Sequence, residues 1–151
     1  MALLVSALIA QLVSIQGLDG HGRPFDLSAM RGQVVAITFA SRYTREEADR
    51  VHAALLSREA VVVSIVDLMG IPSWFHGYAR RKAAEHDLAG RIVHVIDEHG
   101  DMKKRFSAEP QHRVDILVIG PDGELRGRFE SNELDAVLRL VEHLRRPDAS
   151  D

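Results

Sequence analysis

The chain has 151 residues, 27% charged and 46% hydrophobic, with a formal net charge of −3 and no cysteine. Such a length fits one domain with a real core, and the mild acidity provides no basic field for nucleic acid. Zero cysteines exclude disulfides, thiolate nucleophiles and thiolate metal sites together, while leaving the redox compartment undecided.

In chain order, the first stretch is MALLVSALIAQLVSI, residues 1 to 15, which carries no charged side chain. It lacks the basic leader of a targeting signal and is too short to span a bilayer. Leu4, Leu8 and Leu12 share one helical face with Val5 and Ile15 beside it, and Leu3, Ile9 and Val13 thicken the stripe beyond what a small domain must cover. The stretch reads first as a packed N-terminal element, and its surplus apolar face predicts a contact between chains, so a homo-oligomer through residues 1 to 15 is expected; a trimmed targeting or anchor segment is the competing reading. The cytoplasm is favoured, with the periplasm as the alternative, and no integral membrane span is expected.

The next stretch, QGLDGHGRPFDLSAMRGQ, is rich in turn residues and has room for a short hairpin. VVAITFA (34 to 40) is a buried strand by its β-branched apolar run. From Thr44, apolar residues at Ala48, Val51, Leu55 and Leu56 mark one helical face, and AVVVSIVD (60 to 67) is a second buried strand. Residues 70 to 90 predict a helix, with Pro72 near its start, Gly90 past its end and Gly77 as a weak point inside. RIVHVID (91 to 97) is a third strand, and EHGDMKKRFSAEPQH holds one or two helical turns. RVDILVIGPDGELRGRFE predicts a hairpin around Pro121-Asp122-Gly123. The last helix turns Leu134, Val137, Leu138, Val141 and Leu144 inward. Strands separated by helices, then a hairpin, predict a mixed sheet in a three-layer α/β/α sandwich.

This order, with FDLSAMRGQVVAITFAS and DILVIGPDGELRGRFE at its two ends, resembles the thioredoxin-like superfamily. It is most similar to the branch of alkyl-hydroperoxide-reductase, thiol-specific-antioxidant and extracytoplasmic thiol-oxidoreductase proteins. The resemblance covers roughly residues 18 to 145. It divides the chain into an apolar element (1–17), a thioredoxin-like domain (18–146) and a tail (147–151). It also implies where thiol chemistry would sit, with the family's cysteine positions falling on Tyr43 and Glu46 and its cis-proline on Val114. A tyrosine hydroxyl forms no disulfide, and cis geometry is essentially a proline property. ASRYTREE is similar to the corresponding stretch of a cysteine-less set of secreted or periplasmic thioredoxin-like proteins. The resemblance, with these losses, implies a redox-inactive binding or structural module with no cofactor, not an enzyme of thiol chemistry, and with an outside protein as a second kind of partner.

Three groups of side chains compete for a functional role. Thr44-Arg45-Glu46-Glu47 has the S/T-x-x-E form of a capping box, which would merely start a helix. The alternative is an anion or small-molecule site at that helix start, with Arg42, Thr44, Arg45 and Arg113 as binding residues and Tyr43 in the lining. His94, Asp97, His99 and Asp101 lie close in sequence, but strand alternation sends His94 and Asp97 to opposite faces, so no metal is expected. Trp74, Phe75 and Tyr78 are expected in core or interface packing, and Arg80, Arg81 and Lys82 on a solvated face.

Overall fold

The computed structural model describes residues 13–85, 91–109 and 112–146. A small hairpin of β1 (Gln16–Leu18) and β2 (Pro24–Asp26) comes first. Then follow β3 (Val35–Ala40), α1 (Arg45–Ser57), β4 (Val61–Asp67), α2 (His76–Glu85), β5 (Ile92–Asp97), α3 (Asp101–Arg105), β6 (Asp115–Ile119), β7 (Leu125–Glu130) and α4 (Leu134–Arg145). The main sheet has the order β5-β4-β3-β6-β7; β3 runs parallel to β4 and antiparallel to β6. The succession of strands and helices along the chain, the mixed sheet and the closing hairpin are those expected from the sequence.

Alternation divides the core between the two faces of this sheet. Ala36, Val62, Ile92, Ile116 and Val118 meet Ala48, Val51, Leu55 and Leu56 of α1 and Val137 and Val141 of α4. On the other face Val35, Ile37, Phe39, Val63, Ile65, Val95, Leu117 and Ile119 pack with Ile15, Phe25 and Leu27, and with Met102, Phe106 and Ala108 around α3. These are the three layers. The β6–β7 turn closes through the Gly123 N–H to the Gly120 carbonyl at 2.9 Å, and Gly123 takes the positive φ of 84° that disfavours any side chain.

Ile15 is 1% exposed and the Val13 N–H donates to the Gly123 carbonyl, so the chain is already seated before β1 begins. Residues 1 to 12, on which most of the expected chain-to-chain contact falls, lie outside the described residues. The helix expected over 70 to 90 starts later. Pro72 introduces a 3-10 turn (Ser73–Phe75) and α2 proper starts at His76, which places Gly77 in its first turn; Gly90 lies outside the described residues. Trp74, Phe75 and Tyr78 are not core residues. They are 82%, 37% and 45% exposed, because α2 faces the domain with small side chains such as Ala83 and Ala84 and sends its rings outward.

Candidate functional site

The end of β3 leads into α1 through Ser41-Arg42-Tyr43-Thr44, and hydroxyl groups knit this turn. The Ser41 carbonyl accepts the Thr44 N–H at 3.1 Å, and the Ser41 Oγ accepts the Tyr43 N–H at 3.1 Å. Thr44, 5% exposed, turns its Oγ1 back to accept the Ser41 N–H at 3.0 Å. The expected capping box between Thr44 and Glu47 is therefore not formed. Thr44 has φ −114° and ψ 21°, not the extended backbone that carries a cap side chain over the first helical amides, and it makes no side-chain cap bond. Tyr43 is 72% exposed, and the Arg42 guanidinium lies 4.7 Å from its ring centre and donates to its hydroxyl. Arg45 and Glu46 are also exposed.

Across from this turn stands Val114, fully buried, just ahead of β6. No cis peptide bond occurs among the described residues. Both backbone groups of Val114 are engaged by one serine: its N–H donates to the Ser131 Oγ at 3.2 Å, and its carbonyl accepts the Ser131 N–H at 2.9 Å. The Ser131 hydroxyl in turn donates to the Glu47 Oε1 of α1 at 2.7 Å. Glu47 thus ties the start of α1 to the loop before β6. A capping box does form elsewhere, between Glu130 and Glu133 at the 3-10 turn (Ser131–Glu133) that opens α4.

The candidate anion-binding residues divide between two places. Arg42, Tyr43, Thr44 and Arg45 share the turn, whereas Arg113 donates to Glu130 at 2.9 Å. Arg113 lines an open cleft of about 680 Å³ with Glu109, His112, Asp115, Arg128 and Glu130, and residues 42 to 45 are not in its wall.

Beneath α1 lies a polar row that the apolar periodicity passes over. Thr38, Ser64 and His94 are register partners on β3, β4 and β5, all buried, and His52 of α1 packs down onto them. The Thr38 Oγ1 and the His52 Nε2 are 2.7 Å apart. Burial holds the His52 imidazole down to about 4, the neighbouring His94 pushes the same way, and Asp49 opposes them. A hydroxyl–imidazole pair is the start of a nucleophile, but Thr38 is fully buried and His52 is 5% exposed, so this pair braces the helix and meets no substrate. His52 falls between Val51 and Leu55 on the stripe already read as buried, and this is the signal that marks it.

Asp67 and Asp97, neighbours in register at the ends of β4 and β5, hold α3. The Lys103 Nζ meets Asp67 at 2.9 Å and the Lys103 N–H meets Asp97 at 3.1 Å.

No profile of a known protein family matches the chain, and no curated protein matches it. Solved structures do match. BsSco, of the Sco family of cytochrome c oxidase assembly proteins, is 14% identical with a TM-score of 0.65, covering 91% of this chain and 94% of its own. A SCO1/SenC family lipoprotein from Bacillus anthracis is 13% identical with a TM-score of 0.66, over 92% of this chain and 97% of its own. A DsbE-type thiol:disulfide interchange protein from Chlorobium tepidum is 14% identical with a TM-score of 0.64, over 89% and 95%. At these identities the likeness is one of fold. The chain has the thioredoxin-like fold and no cysteine.

Proposed function

We propose that this thioredoxin-like domain is redox-inactive and works by binding, as a homo-oligomer or as a partner-binding module. The observation that carries the reading is the absence of any cysteine from a chain whose fold neighbours include thiol-disulfide oxidoreductases. On the resemblance, the thiol positions fall on Tyr43 and Glu46, on either side of the start of α1. The Ser131 bonds to both backbone groups of Val114 support it further, since they engage the N–H and the carbonyl with which that residue would align an extended substrate.

The anion-binding alternative has less support. Arg113 is paired with Glu130, Thr44 is buried with its hydroxyl turned to Ser41, and Glu46 beside Arg45 opposes the positive end of α1. As to compartment, the cytoplasm is the first reading, and the lipoproteins among the fold neighbours support the alternative of a place outside it. Among the described residues no helix is long and apolar enough to cross a membrane. Insulin reduction and peroxide consumption by the pure protein test the central reading. Both rates are expected to match a boiled control, and turnover above it in either assay refutes a redox-inactive role.

A further inference from the structure

The cleft lined by Arg113 has a volume of about 680 Å³, the size of a small-molecule site, and the first residue of β6 stands in its wall. That residue is Asp115, 8% exposed. Its Oδ2 accepts the Glu109 N–H at 2.8 Å; among the described residues the carboxylate makes no other hydrogen bond and enters no ion pair. The Oδ1 therefore has no donor from the chain, and it belongs to a side chain that lines the cleft. Taking a carboxylate out of water is costly unless donors or a counter-charge replace the water, so buried carboxylates are ordinarily paired or held by several donors. Asp115 is buried with one amide.

The charges around it deepen the deficit. Glu130 is the register partner of Asp115 across the β6–β7 ladder, and two carboxylates set opposite each other repel. The two guanidinium groups of the wall are engaged elsewhere, Arg113 on Glu130 at 2.9 Å and Arg128 on the Ser107 carbonyl at 2.7 Å. Glu109 and Glu133 add two more carboxylates, so the negative charges of the wall outnumber the positive ones. Glu109 is exposed, and among the described residues its side chain bonds to nothing. What this wall lacks is a cation. A metal ion is the poorer fit, because among the described residues no three carboxylate or imidazole groups converge to hold one. An ammonium group suits it better, since it brings a full charge and several N–H donors that carboxylates at different depths can share. We propose that this cleft at the head of β6 binds an organic amine, with Asp115 taking the ammonium group and Glu109 meeting it from the exposed side. The site stands on the cleft alone and requires neither an oligomer nor the loss of thiol chemistry.

The test is a titration of the full chain with diaminobutane, followed by NMR at the backbone amides. Butanediol and magnesium chloride, at matched ionic strength, are the neutral and the metal controls. Signals around Asp115 and Glu130 are expected to shift and saturate with the diamine and to stay in place with both controls. Asp115→Asn keeps an acceptor for the Glu109 amide while removing the charge, and should weaken the diamine by about tenfold or more. Glu109→Gln should weaken it by a smaller factor, and as a change at an exposed position it serves if Asp115→Asn does not fold. Shifts that are absent, that never saturate, or that magnesium or butanediol reproduces at the same residues overturn the site. So does an affinity unchanged in Asp115→Asn or, where that variant does not fold, in Glu109→Gln.

Discussion

Helices α1 and α2 each connect two neighbouring parallel strands, yet they relate to the sheet in opposite ways. α1 buries Ala48, Val51, His52, Leu55 and Leu56, whereas α2 has no buried residue. The cause is local sequence. REEADRVHAALLS carries large apolar side chains at helical spacing on one face; HGYARRKAAE offers the domain small alanines with half-buried His76 and Arg80 beside them, and places Tyr78, Arg81 and Lys82 outside. One topological unit therefore supplies a stabilising helix and also a presenting helix, and the difference should appear in any measurement that separates folding from surface properties.

The largest effect is expected within α1. Leu55 is fully buried between the sheet and α4, so Leu55→Ala should cost about 2–5 kcal/mol in a urea titration. A loss under about 1 kcal/mol would mean that α1 is no more essential than α2.

A second effect is expected from pH. His52 takes a proton near 6.5 in the unfolded chain but only near 4 in the fold, so the unfolded state binds more protons between these values. Its contribution is complete above pH 6.5 and is lost as pH falls toward 4, by about 3 kcal/mol in all. Unfolding midpoints measured from pH 7 to pH 4 should decline, and His52→Gln should flatten the decline at the price of a lower starting stability. A slope identical in the variant would assign the pH dependence to other groups.

The smallest effect is expected on α2's side. At concentrations where the chain is monomeric, Trp74→Ser should change stability by no more than about 0.5 kcal/mol, because the side chain is 82% exposed. A loss comparable with that of Leu55→Ala would abolish the contrast between the two helices.

Much of the fold was legible because its signals are local. The β-branched runs at 34 to 40 and 60 to 67, the Pro-Asp-Gly turn and the stripe of α4 each declare their own element, and their order then leaves few topologies. The turn at Ser41 to Thr44 was less legible, since a capping-box pattern records which residues are present but not the backbone angles that let a hydroxyl reach an amide. Thr44 has the pattern without the angles, while Glu130 and Glu133 form the box with no serine or threonine at the cap. The link between Glu47, Ser131 and Val114 joins residues up to 84 positions apart and is beyond any local pattern. Core packing of Trp74 fails for a related reason: aromatic residues are usually packed, and only tertiary placement shows which of them stay on the surface.

The Ser131 link also makes residue 114 intolerant of proline. Proline there would remove the N–H that the Ser131 Oγ accepts while the same hydroxyl still donates to Glu47, a loss of about 1 kcal/mol or more. A rigid turn at this point would therefore come at the expense of the tie between the start of α1 and the loop before β6.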